Sequence, residues 1–390
     1  MKNSKVVIIE CKSYDEKNVD KAIETGINLL GGIDNFFNKE EKILLKPNLL
    51  AKASPEKAVT THPAVFKAIG KLLKNNGFKN LYYGDSPGNP IGGVARVAAG
   101  CGISQPADEL GILPANFSEG KEVFFEKGIT EKNFVISNGI IECDSIINIC
   151  KMKTHQLERI TGAAKNIFGA VYGINKGAFH AKYTNADSFA KVIADLNNLV
   201  KPKLHIMDGI VAMEGNGPQS GTPIEMNVIL MSTDPIALDA VFCNLIYLDP
   251  ALVPTNKYGQ DYGVGTMELE QIDIISEKGI IGTQEAVDLF GNKKYDVYRD
   301  TEKNTQIRLL KPIQPWLEKK PYIIKEKCVK CGICVNSCPL ESKAIQLKGY
   351  PKYEYDKCIR CYCCQEMCPQ KAIDVKIPFL AKVMDRKWRI

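Results

Sequence analysis

Eight of the fourteen cysteines in this 390-residue chain fall in one spelling written twice: Cys328-x2-Cys331-x2-Cys334-x3-Cys338-Pro339, then Cys358-x2-Cys361-x2-Cys364-x3-Cys368-Pro369. Three thiolates at two-residue intervals on a tight loop can point their sulfurs at three corners of one cube, the chemistry of a [4Fe-4S] cluster. A zinc site needs only four ligands and has no use for a three-plus-one grouping. A disulfide framework belongs to an exported chain, and no secretory signal is written here. Of the other six cysteines, Cys11, Cys101, Cys143, Cys150 and Cys243 sit in apolar or strand-like stretches, where a free thiol acts as a small core residue. Cys363 adjoins Cys364 but breaks the two-residue spacing, so it reads as a bystander thiol. Thiolate ligands and unpaired thiols suit a reducing interior, and a cytoplasmic location is expected.

A second constellation runs from Lys151 to Lys182. It holds six bases, Lys151, Lys153, Arg159, Lys165, Lys176 and Lys182, against the single acid Glu158, together with His155 and His180. Clustered cations among hydroxyls and glycines make a cradle for a carboxylate or phosphate, because the glycines let backbone N–H groups approach the ligand while the lysines neutralise it. The bland reading of such a run is a solvated basic face. Met152, Ile160, Ile167, Phe168 and Val171 are interleaved with the cations, which argues for a partly buried setting. Lys165, His155 and Lys153 are the candidates for catalysis. Lys46, Asn48, Asp85, Lys151, Asn166 and Glu214 are the candidates for holding a ligand. Turn and cap chemistry accounts for Asp234 and Asp208, which leaves Glu214 as the acid without an obvious structural role. His62, before Pro63, belongs to a helix start, and His205 within a strand reads as structural. No G-x-G-x-x-G leads into a helix and no G-x-x-x-x-G-K-[ST] occurs, so neither NAD nor ATP has a motif here; flavin remains open.

The elements that must position these residues are short β-branched runs alternating with amphipathic stretches of helical period. Strands are predicted at 6–11, 42–46, 80–83, 146–150, 204–207 and 226–231, and helices at 19–30, 63–75, 93–99, 187–199 and 235–246. Such alternation predicts an α/β domain with a mostly parallel sheet and helices on both faces, plus a small α+β unit around the cysteines. Ligands of such sheets sit beyond the carboxyl ends of the strands. The residues following the strands are the polar ones: Lys46 to Asn48, Gly84 to Gly88, Lys151 to His155, and Asp208-Gly209. Residues 1–291 are expected to form the α/β domain, 292–321 a lysine-rich linker, 322–376 the cluster domain, itself a repeat of period 30, and 377–390 a tail. With 45% hydrophobic and 25% charged residues the composition is globular, and a diffuse net charge of +6 gives no support for nucleic-acid binding. No apolar run approaches the roughly 18 residues that span a bilayer.

The cysteine spelling is similar to that of two-cluster bacterial ferredoxins, where the fourth corner of each cube comes from the other repeat. The resemblance implies two [4Fe-4S] clusters, one on Cys328, Cys331, Cys334 and Cys368 and one on Cys358, Cys361, Cys364 and Cys338. Lys46-Pro47-Asn48, Thr61-His62-Pro63, Gly84-Asp85-Ser86-Pro87, Lys151-Met152-Lys153-Thr154-His155, Thr161 to Gly169, Asp208 to Pro218 and Asp234 to Asp239 together resemble the domain of unknown function 362 family over roughly residues 5–265. Its members are described as iron-sulfur cluster-binding proteins, largely from anaerobes, with no general activity assigned. Around Lys165 the chain is also distantly similar to the lactate racemase type of α/β protein, without matching its motif histidines.

Three functions follow. The first is a reductase passing low-potential electrons to an anionic small molecule or cofactor in the α/β domain, supplied by a redox partner such as ferredoxin or flavodoxin. The second is an electron-transfer or assembly module that docks a partner enzyme. The third is a non-redox enzyme with structural clusters. The loaded strand ends favour the first over the second, and the duplicated ligand set favours it over the third.

Overall fold

The computed structural model describes residues 3–88, 93–173, 175–299 and 319–376. Its largest sheet has strands in the order Gly279–Ile281, Ile272–Ser276, Ser4–Glu10, Thr222–Ser232, Leu204–Glu214, Ser145–His155, Ile43–Pro47, Leu81–Tyr83 and Leu113–Pro114, with Arg159–Thr161 paired off this path. From Leu204–Glu214 to Leu113–Pro114 the neighbours are parallel. Thr222–Ser232 runs antiparallel to both of its neighbours, because a hairpin joins it to Leu204–Glu214. This is an α/β fold with a mostly parallel sheet.

Strand alternation gives the sheet two apolar faces. In Ser4–Glu10, Val7 and Ile9 join a core containing Val19 and Ile23 of helix Glu16–Leu29 and Val65 and Phe66 of helix Pro63–Asn75. Val6 and Ile8 join the opposite core with Ala237, Val241 and Phe242 of helix Pro235–Leu245. Both proline-led helices begin as the sequence predicts. His62 Nδ1 accepts from Ala64 N at 3.1 Å, and Asp234 accepts from the N–H groups of Ile236 and Ala237 at 2.9 Å each.

Two strands are longer than their apolar runs suggest. Ser145–His155 has eleven residues, all buried, so Lys151 to His155 are the second half of a strand rather than a loop beyond it. Leu204–Glu214 likewise absorbs Asp208 and Gly209. The physical reason is pairing: Lys151 sits opposite Asp208 in register, so each supplies the charge that lets the other be buried.

The C-terminal unit is small and α+β. Lys320–Ile323 pairs antiparallel with Ile373–Lys376, and Ile345–Lys348 with Tyr350–Tyr353. Two four-residue helices, Ile333–Asn336 and Cys363–Glu366, carry Cys334 and Cys364. The 30-residue repeat extends to the backbone, since Lys330 and Arg360 (φ 58° and 57°) and Gly332 and Tyr362 (φ 76° and 61°) all adopt the left-handed region that winds each cysteine loop. Residues 292–299 pack on the α/β body, where Tyr295 is fully buried and its hydroxyl donates to Met213 O at 2.6 Å. Residues 300–318 of the expected 292–321 linker and the 377–390 tail lie outside the described residues, and Lys320 and Pro321 at the linker's end belong to the strand Lys320–Ile323.

Candidate functional site

The two halves of the chain line a shared, partly open cavity of about 590 Å³. Asn48, Asp85, Lys153, Lys165, Asn166 and Lys176 contribute to its α/β wall, and Ile333, Cys338, Cys363, Glu366 and Met367 to its C-terminal wall.

The α/β wall is a hydrogen-bonded lattice. Lys46 Nζ lies 2.8 Å from Asp85 Oδ1 and donates to Asn166 O at 2.7 Å, while Asp85 Oδ2 accepts from Leu49 N at 2.8 Å. Asn48 Nδ2 donates to Asn166 Oδ1 at 2.9 Å, and Asn166 Nδ2 to Asn148 Oδ1 at 2.7 Å. Gly169 is required here, because a Cβ would collide with the Asp85 carboxylate. Lys153 Nζ donates to Val59 O at 2.7 Å and Asn48 Oδ1 at 3.1 Å. Burial, then the charges of Lys165 and Lys151, push Lys153 down to about 7. Lys176 Nζ is held by the carbonyls of Ser86 and Pro87 and is also pushed down to about 7, by burial first, with Asp85 opposing and Lys46 and Lys165 adding. Among the described residues Lys165 Nζ has no hydrogen-bonded or ion-paired partner. It lies 6.0 and 5.9 Å from the ring centroids of Phe168 and Phe189. Positive charge therefore converges on the cavity without full compensation.

His155 links the halves. Its Nδ1 accepts from Leu157 N and Glu158 N, both at 3.1 Å, so the ring proton belongs on Nε2, which lies 2.8 Å from Glu366 Oε1. Burial and then Lys165 push His155 down to about 4, leaving it neutral. Burial opposes ionisation of Glu366, but the His155 contact and the Lys165 charge hold it well below the usual carboxylate range. His180, stacked on Phe189 with centroids 4.4 Å apart, also lines the cavity and is pushed down to about 4, mainly by burial.

Thus Lys165, Lys153, Asn48, Asp85 and Asn166 are brought together around one cavity, with Lys46 bracing them from behind and His155 bracing Glu366. Two expected ligand-holding residues are placed elsewhere. Lys151 Nζ contacts Asp208 Oδ2 at 2.7 Å and donates to Tyr14 OH at 2.8 Å, in a buried network outside the cavity wall. Glu214 accepts from Asp296 N at 2.7 Å. The glycine-rich loop after Glu214 seats the C-terminal unit: Gln365 Nε2 donates to Asn216 O and Oδ1 at 3.0 and 2.9 Å, and Gln219 Nε2 to Cys368 O at 3.4 Å. Sequence reasoning passed over Glu366, since its partner His155 stands far away along the chain. The one available signal was a carboxylate two residues after a ligand cysteine.

In the C-terminal unit, Cys328, Cys331, Cys334 and Cys368 line one small cavity with Ile323 and Ile333. Cys338, Cys358, Cys361 and Cys364 line a second with Leu340 and Ile345. Each is lined by four cysteines and by no carboxylate or imidazole, the donor type that suits an iron-sulfur cluster, and Cys363 lines neither; among the described residues no three such side chains stand close enough to hold a single metal ion.

The family model described as a domain of unknown function, DUF362, matches residues 43–244, and that of a 4Fe-4S dicluster domain matches residues 320–373. The chain is 32% identical over 266 residues to the thylakoid-associated protein sll1697 of Synechocystis sp., covering 68% of this chain and 81% of that protein. It is 38% identical over 64 residues to the ketoisovalerate oxidoreductase subunit VorD of Pyrococcus furiosus, which covers 16% of this chain and 61% of that subunit. Among solved structures, the lactate racemase apoprotein of Thermoanaerobacterium thermosaccharolyticum is similar at a TM-score of 0.41 and 13% identity, over 62% of this chain and 56% of that one. That likeness is too distant to carry an argument. No helix among the described residues is long and apolar enough to cross a membrane.

Proposed function

Because the chain belongs to the DUF362 family and carries an iron-sulfur domain of ferredoxin type, we propose that it is a reductase acting on an anionic small molecule or cofactor held between its two halves. The observation that carries this reading is the shared wall of the cavity, with Lys153, Lys165 and Lys176 on one side and Cys338 of a cluster ligand set on the other. Cys328, Cys331, Cys334 and Cys368 would hold one [4Fe-4S] cluster, and Cys358, Cys361, Cys364 and Cys338 a second. Bound there, such clusters would supply single electrons, at a potential set by hydrogen bonds to the sulfurs and by solvent exposure. A redox partner such as ferredoxin or flavodoxin would provide those electrons.

The chain's own residues do the rest. Lys165, with no hydrogen-bonded or ion-paired partner among the described residues, anchors the anion. Lys153, at about 7, holds a proton it can release to a substrate gaining electrons. His155 positions Glu366, whose carboxylate stands on the C-terminal wall across the cavity from the lysines of the α/β wall. Asn48, Asp85 and Asn166 hold Lys46 and Lys153 in place.

Metal analysis of the anaerobically purified chain should give about eight iron and eight sulfide. Lys165→Ala should retain that content and its melting temperature, yet bind carboxylates, phosphates or coenzyme-A esters more weakly by roughly 1.5–3 kcal/mol, the loss of one charge-assisted hydrogen bond. A thermal-shift screen in which no anion protects the wild type better than Lys165→Ala would favour a module that only docks a partner enzyme.

A further inference from the structure

The two cysteine sets look in different directions. Of the eight, only Cys331 is exposed. Cys338, from the other set, is buried and faces the internal cavity. Next to Cys331 the chain exposes Val329 at 60%, and on the facing hairpin Leu347 at 45%. The Leu347 side chain reaches to 3.9 Å from the position a Cβ would take on Gly332, the residue after Cys331. Four lysines next to these residues in the chain, Lys325, Lys327, Lys330 and Lys348, are all exposed, with Glu326 as the acid in the same turn as the first two. Lys330 Nζ sits 4.3 Å from the Tyr350 ring centroid, which keeps its charge at this face.

We propose that this face, Cys331 with Val329, Leu347 and the exposed lysines Lys325, Lys327, Lys330 and Lys348, is the docking surface for a small electron-carrier protein whose own redox centre is framed by carboxylates. The inference rests on the reading that Cys328, Cys331, Cys334 and Cys368 hold a cluster. An apolar centre with a charged rim is the arrangement that gives a specific but short-lived complex, because the centre excludes water while the rim steers encounter. A carrier bound there lies against the solvent-facing set and away from the cavity, so it does not compete with a ligand inside. A second copy of this chain is a poor occupant, since it would bring the same cationic rim to the contact.

The test uses the cluster-loaded chain and an acidic flavodoxin labelled for fluorescence anisotropy. Between ionic strengths of about 0.02 and 0.3 M, where screening becomes strong, the dissociation constant should rise by about tenfold or more. Lys327→Glu with Lys330→Glu should weaken the complex about tenfold at low salt, and Val329→Glu should also weaken it, with iron content unchanged. Lys39→Glu, on the α/β domain, should leave it alone. Should the double variant lose iron, Lys325→Glu with Lys348→Glu replaces it. Binding indifferent to salt and to these charges overturns the docking face. So does a chain that ignores flavodoxin but binds anionic lipid vesicles through the same lysines, which would make this a membrane-facing patch. A loaded chain with about four iron instead of eight overturns the two-cluster reading beneath the proposal.

Discussion

Lys151 and Lys153 stand two residues apart on one strand and have opposite fates. Between them the pairing with the neighbouring strand slips, so that Lys151 faces Asp208 and Lys153 faces Met213. One cation is neutralised and structural, and the other is left to the cavity. Glu158 is a comparable case among the acids. It is wholly buried and neither carboxyl oxygen has a hydrogen-bond partner among the described residues. Burial pushes it well above its ordinary value, with Asp187 adding to the effect and Lys165 opposing it. The folded chain therefore keeps this proton where the unfolded chain has lost it, so the contribution to stability is present at low pH and declines as pH rises above the ordinary carboxylate range. Glu158→Gln should be more stable than wild type at pH 8, by about 1.4 kcal/mol for each pH unit over which the difference in protonation persists. The advantage should vanish near pH 4. Urea unfolding at the two pH values decides it, and an equal midpoint difference at both would mean that Glu158 is ionised in the fold.

At the scale of elements, much was readable. The strands and the two proline-led helices follow from β-branched runs, helical periodicity and cap residues, all local signals. The extensions of Ser145–His155 and Leu204–Glu214 were not readable, because Lys151, Lys153 and Asp208 lower local strand propensity and only tertiary pairing makes their burial tolerable. The loop after Glu214 announced itself by its glycines but not its role. Gly217 donates its N–H to Thr154 Oγ1 at 3.2 Å and has no room for a Cβ beside Thr154, so glycine is there for a close approach. Its consequence is the seat for Gln365, a fully buried side chain. Gln365→Ala should leave Asn216 O without its donor, while Asn216 Oδ1 keeps Gln156 Nε2, and cost roughly 1–3 kcal/mol. In calorimetry the C-terminal unit should then melt ahead of the α/β body. A single transition at the wild-type temperature would show that other contacts suffice to hold the unit.

For the whole molecule, the cysteine motifs were legible because ligand spacing is written locally. The cavity was not, because its two walls come from segments far apart in sequence, and no single window contains both. Burial is also a global property, and it decides the acid response. His155 and His180 are pushed down to about 4, and His205, in contact with Asn148 Nδ2 at 3.0 Å, to about 3, all mainly by burial. Between the ordinary histidine value and these values the unfolded chain takes up protons that the folded chain refuses. Stability present above pH 6.5 is therefore lost as pH falls, by up to about 1.4 kcal/mol per unit for each such histidine. Thermal midpoints of the chain should drop steeply from pH 6.5 to 4.5. A flat profile would mean that these rings are protonated in the fold.

The cavity with one wall from each half also bears on inheritance. A broad surface cleft opens beside it between Ala178 and Lys182 on one side and Pro339 to Ser342 on the other. If a guest enters there, it meets both halves before it meets the interior. A chain ending before Lys320 would present its lysines to bulk water, where each is worth little to an anion. A C-terminal unit borrowed from another protein would bring cysteines but serve His155 only if it carried a counterpart to Glu366. Substitutions at such facing positions are then expected to be accepted in pairs, and a transplanted half to be rejected even when it folds and binds iron.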